Sequence, residues 1–131
     1  MFFPPAVVVH GLDQARTALR PGLPVTLLSA RGAALYAGCG WWRALVTAAA
    51  AAEEILDCAD APGHAMAALR LGQRTLILDA DCPAFAAVAA AASTLGAHVL
   101  AERPEALDLA EPAANRRLIA WLQGDNAKRL G

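Results

Sequence analysis

Charge is scarce in this chain, and aromatic side chains are scarcer. Asp, Glu, Lys and Arg make up 18% of the residues, and Phe, Trp and Tyr only 5%. Eleven basic residues against twelve acidic ones leave a formal net charge of −1. Nucleic acid calls for a basic face and an anionic membrane surface for a polybasic segment, so neither partner is expected. Cysteine is equally thin. Cys39, Cys58 and Cys82 are odd in number and form no CxxC pair. That spacing excludes a disulfide framework and a zinc site built mainly of thiolates, and no metal centre is expected. Common signatures of nucleotide and hydrolytic enzymes are also missing. "RGAALYAGCG" (31–40) has no GxxxxGK[ST] lysine or hydroxyl, His10–Gly11–Leu12 supplies one glycine where a dinucleotide fingerprint needs three, and no GxSxG occurs. These absences leave the cofactor unknown.

What is abundant is apolar: 57% of the 131 residues are hydrophobic, many of them alanine. A chain of this length makes a single domain, 1–131, that buries roughly two-thirds of its unfolded surface. The segment 124–131, "GDNAKRLG", reads as a polar C-terminal tail. Residues 82–101 run without Asp, Glu, Lys or Arg, but Pro83, Ser93, Thr94, Gly96 and His98 interrupt them. A soluble helix, a glycine turn and a buried strand explain that run better than a membrane span. With no basic leader before Pro4 and Pro5, the expected location is cytoplasmic.

Five short runs rich in Val, Ile or Leu recur at 6–10, 24–30, 54–58, 74–80 and 97–102. None alternates apolar with polar residues, as a strand with one wet face would, so each predicts a strand buried on both faces. Helical segments alternate with them at 12–20, 37–52, 62–71, 83–95 and 112–123. Gly22, Gly72 and Gly96 stand at helix exits, and Pro62, Pro83 and Pro112 where helices begin. The pattern predicts an α/β fold: a doubly wound, three-layer α/β/α sandwich on a five-stranded parallel sheet. The flavodoxin-like order 2-1-3-4-5 is favoured, with the Rossmann-like 3-2-1-4-5 as the alternative.

Ligands of open parallel sheets sit at the carboxyl ends of the strands. His10, Ser29, Arg31, Asp57, Cys58, Asp60, Asp79, Asp81, Cys82, Glu102 and Arg103 occupy those ends, and His64 follows in the third helix. From these, His10, Ser29, Arg31, Asp57, Cys58, Asp60, His64 and Asp79 form the candidate crevice. A histidine beside a carboxylate suits general base chemistry, because imidazole exchanges protons near neutral pH. Asp60 and Asp81 have the spacing of helix caps. Receiver domains of response regulators share the order of elements. They need an acidic pair after the first strand and a lysine after the fifth, where this chain has His10–Gly11 and Glu102–Arg103.

The helices carry a second signal. The first and last have ordinary charged faces, whereas those between are nearly free of charge, a pattern of helices covered on more than one side. Trp41 and Trp42 lie about 100° apart on a helix, so they do not both point into the sheet. Tyr36, Trp41, Trp42 and Phe85 are therefore interface candidates. The expected function is a small dimerising or partner-docking α/β module, most simply a homodimer. The alternative is a protein or enzyme that takes a small-molecule ligand in the crevice near His10 and Asp57.

Overall fold

The computed structural model describes residues 3–125. In chain order its elements are β1 (Ala6–Val8), α1 (Leu12–Leu19), β2 (Thr26–Leu28), α2 (Ala33–Tyr36), α3 (Cys39–Ala49) and β3 (Glu53–Asp57). They continue with α4 (Pro62–Arg70), β4 (Thr75–Ile77), α5 (Phe85–Thr94), β5 (His98–Leu100), β6 (Ala106–Asp108) and α6 (Ala114–Ala120). A wide last turn, Trp121–Asp125, is broken by Gly124 at φ 96°. The protein is α/β, and all six strands pair in parallel. Among the described residues no helix is long and apolar enough to cross a membrane. Apart from Gly124 and Asp125, the polar tail lies outside the described residues.

The chain divides into two compact units. The first takes its described residues from Met1–Leu28, Leu45–Glu54 and Pro104–Gly131. Here β1 is central, with Val7 opposite Leu27 of β2 on one side and Leu107 of β6 on the other. Val7, Val9, Leu27, Ala15 and Ala18 are fully buried. Alanine at 15 and 18 keeps the inward stripe of α1 low, so nothing bulkier holds the helix off its neighbours. Polar groups in this interior find partners: the Trp121 indole Nε1 donates to the Ala6 carbonyl at 2.8 Å, and Thr26 Oγ1 to the Pro4 carbonyl at 2.9 Å.

The second unit comprises Ser29–Ala44 and Ile55–Arg103. Here β4 is central, with Leu76 opposite Leu56 of β3 and Val99 of β5. Ile55, Leu56, Leu76, Ile77 and Leu78 are buried whichever way each points. That is why the runs read as continuous rather than alternating. Two successive right-handed crossovers in one direction put α4 and α5 on the same face, and these helices pack against each other. Both exit through a Schellman turn. Gly72 N–H donates to Leu69 C=O and Gln73 N–H to Ala68 C=O; Gly96 and Ala97 do the same to Ser93 and Ala92.

The structure corrects several expectations. Among the described residues there are six strands, not five, because the short run Ala106–Asp108 is a strand without the Val, Ile or paired Leu of the others. It follows β5 with no helix between and takes the free edge of β1. Since β1 lies between β2 and β6, and β4 between β3 and β5, β1 adjoins neither β3 nor β4 within its unit. Both 2-1-3-4-5 and 3-2-1-4-5 require such a neighbour. Finally, the caps of α4 and α5 are Ala61 and Ala84, with no side-chain cap bond. Asp60 and Asp81 therefore do not cap those helices.

Candidate functional site

In the second unit the loop that carries Ser29 to Gly32, the end of β3 and the segment after β5 meet around one carboxylate. Asp57, the last residue of β3, has no exposed surface. Its Oδ1 accepts from the backbone N–H of Gly32 at 3.0 Å and of Ala59 at 2.8 Å. Its Oδ2 accepts from Arg103 Nη1 at 2.8 Å, just beyond β5. The same Nη1 donates to the Ser29 carbonyl at 3.1 Å. Ser29 Oγ accepts from the Asp57 N–H at 2.9 Å and donates to the Ala30 carbonyl at 3.1 Å. The loops bend sharply to reach this point: Gly32 has φ 70° and Ala59 φ 47°. The first is free for glycine, whereas the left-handed conformation costs an alanine about 1–2 kcal/mol. Ala59 also accepts from the Asp79 N–H at 2.8 Å, so one strained turn connects the ends of β3 and β4.

A second, more open pair lies beside the first. Arg31 Nη2 donates to Asp79 Oδ2 at 3.1 Å. The hydrogen bond and charge of Asp79, then the charges of Asp57 and Asp60, raise the Arg31 guanidinium above its ordinary pKa. Cys58 is buried, and burial first, then Asp57 and Cys39, push its thiol up to about 12. A thiol held protonated at neutral pH is neither a nucleophile nor a ready metal ligand. Among the described residues no group of three His, Cys, Asp or Glu side chains is placed to hold a metal ion.

The candidate crevice residues fall into separate groups. Ser29, Arg31, Asp57, Cys58 and Asp79 gather at the strand ends of the second unit. Asp60 is exposed beside them and His64 is exposed on α4. His10 belongs to the first unit, where its Nε2 lies 2.8 Å from Asp108 Oδ1 at the carboxyl end of β6. Gln14 Oε1 accepts its backbone N–H at 2.9 Å. Of the aromatic candidates, Trp42 is fully buried and Trp41 half-buried, their rings 5.9 Å apart and tilted by 44°. Phe85 is half-buried, and Tyr36 is the exposed member at 70%. The first unit also has a shallow surface hollow of about 420 Å³ between Thr17 and Arg20 of the α1 end and Asn115, Leu118 and Ile119 of α6.

Sequence reasoning placed Arg103 at a strand end without giving it a role. Its signal was a lone basic residue after the fifth apolar run, in a chain whose third run carries an aspartate at its end. Asp108 was missed because β6 was missed. No protein-family model matches this chain, and no curated protein matches it.

Proposed function

We propose that the chain is a non-enzymatic docking module whose partner is a second copy of itself, met through α2 and the first turns of α3. The observation that carries this reading is the pair Leu35 and Tyr36, 43% and 70% exposed on a four-residue helix. Exposed neighbours in the second unit, Ala37, Gly40 and Ala44, carry no charge. The exposed residues of α5 are Ala86, Ala87, Ala90, Ser93 and Thr94. A charged partner would leave its own ions unpaired against so charge-poor a face, where Arg43 is half-buried and Arg31 stands at the margin, whereas a second copy brings a face equally poor in charge. The polar groups at the strand ends support docking over catalysis. Ser29 Oγ is occupied by backbone groups, Cys58 is held protonated, and Asp57 is tied on both oxygens.

A standard interface removes about 800 Å² from each partner, with a few aromatic anchors supplying most of the gain. Tyr36 is the anchor here, in place of a tryptophan. The expected outcome is a dimer by sedimentation equilibrium at micromolar concentration. Tyr36→Glu should be monomeric with an unchanged far-ultraviolet circular dichroism spectrum. A wild-type monomer at about 100 times micromolar concentration, a span worth about 2.7 kcal/mol, ends the homodimer reading. The ligand-binding alternative draws on one observation: polar groups from several strand ends converge on Asp57.

A further inference from the structure

We propose that Arg103, held by Asp57 and flanked by Arg31, is a receptor for a single carboxylate group at the carboxyl ends of β3 to β5. The proposal goes beyond the docking reading and does not depend on it. Among the described residues, both bonds made by Arg103 leave from one nitrogen: Nη1 donates to Asp57 Oδ2 at 2.8 Å and to the Ser29 carbonyl at 3.1 Å. The Nε–Nη2 edge, with its two parallel N–H groups, is left for other acceptors. That edge matches the two oxygens of a carboxylate. Asp57 is wholly buried, whereas Arg103 keeps a quarter of its side-chain surface open. The side chain is therefore held from inside the protein and is not closed off from solvent.

Such preorganisation matters because a free arginine loses rotamer entropy when it binds. Here that loss accompanies folding. Arg31 stands on the same framework: the N–H of the next residue, Gly32, donates to the Asp57 carboxylate. Its side chain is 62% exposed and, among the described residues, has a single bond, Nη2 to Asp79, so further N–H groups remain to be shared.

The surrounding charges select the ligand. Asp57 and Asp79 balance the two guanidinium groups, while exposed Asp60, Asp81 and Glu102 stand at the same strand ends. A dianion such as phosphate meets this excess of negative charge with twice the repulsion of a carboxylate. A monoanion with a planar pair of oxygens is the better match.

The test follows the Arg Nε–H signals of the ¹⁵N-labelled chain during titration with sodium acetate. Sodium chloride at matched ionic strength and inorganic phosphate are the comparison arms. Acetate should shift the Arg103 Nε–H saturably and bind about tenfold more tightly than phosphate, a difference of about 1.4 kcal/mol. Arg103→Lys keeps the charge and loses both the fork and its own reporter, so it is followed at the backbone N–H of Gly32, on the same Asp57 carboxylate, which acetate should shift saturably in the wild type and not in the variant. Arg31→Ala leaves the buried pair untouched and should weaken acetate several-fold while the amide spectrum stays dispersed. Equal shifts with chloride and acetate, tighter binding of phosphate, or an Arg31→Ala variant that binds acetate as the wild type does would each overturn the proposal.

Discussion

Both units place a partnered carboxylate at the carboxyl ends of their strands, and the two pairs differ in one physical respect. In the first unit His10 and Asp108 are 37% and 33% exposed. In the second, Asp57 is completely buried against an Arg103 that is 25% exposed. Water solvates the first pair whether or not its members touch. It does not reach the Asp57 carboxylate, which depends on two backbone N–H groups and one guanidinium for its whole solvation. The same chemistry is therefore optional in one unit and structural in the other.

The largest effect expected from this difference follows removal of one partner. Arg103→Met should cost about 3–5 kcal/mol, because a buried carboxylate is left uncompensated. Asp108→Asn, at the exposed pair, should cost no more than about 1 kcal/mol. Urea denaturation of the two variants against the wild type measures both. The double variant Asp57→Asn/Arg103→Met should recover much of the loss: an amide oxygen still accepts from Gly32 and Ala59, and no charge remains to solvate. Comparable losses in Arg103→Met and Asp108→Asn would break the comparison.

A smaller effect comes from Cys58, which has no counterpart in the described residues of the first unit. Its thiol titrates at about 12 in the folded protein against an ordinary value of 9.0. Between these values the folded state holds a proton that the unfolded state has released. Stability then falls as pH rises, by about 1.4 kcal/mol for each pH unit. Below pH 9 the contribution is fully present. Denaturation midpoints taken from pH 8 to pH 10 should show the decline, and Cys58→Ala should flatten it at the cost of a small cavity. A wild-type profile that stays level over that range rules out the buried, protonated thiol.

Most of the strands and the site that they carry were legible in the sequence for one reason. A strand buried on both faces is a short continuous run of Val, Ile and Leu, and its polar terminus stands out at once. Ser29, Asp57 and Asp79 were found in that way. Strand order was not legible, because it depends on which edge a late segment takes. Ala106–Asp108 has only Ala, Leu and Asp to announce it. Missing it removed β1's second neighbour, and with that neighbour Asp108, the partner of His10. Tyr36 stood among the interface candidates beside the two tryptophans, and its exposure follows from the one-turn helix α2, which the sequence did not announce. Arg103 was visible as a charge at a strand end. Its partner was not, since the contact spans 46 residues of sequence.

The smallest effect separates the units at their helix exits. Three helices end in the same turn, with paired N–H groups returning to the last carbonyls. In the second unit the left-handed position is Gly72, at φ 93°, and Gly96, at φ 71°. In the first it is Ala50, at φ 57°, with Ala50 N–H donating to Thr47 C=O and Ala51 N–H to Val46 C=O. Alanine pays about 1–2 kcal/mol for that conformation. Glycine avoids it but loses about 0.4–1 kcal/mol through the greater freedom of its unfolded chain. Ala50 is exposed, so no packing is lost with its methyl group. Ala50→Gly should therefore stabilise the protein by about 0.5–1 kcal/mol, raising Tm by ~2–4 °C. Gly96→Ala should lower it by a similar amount. The two substitutions move the units in opposite directions through one backbone angle, without touching either pair. The reverse pair of signs, Ala50→Gly destabilising and Gly96→Ala stabilising, would show that helix propensity, which favours alanine over glycine, outweighs the left-handed turn.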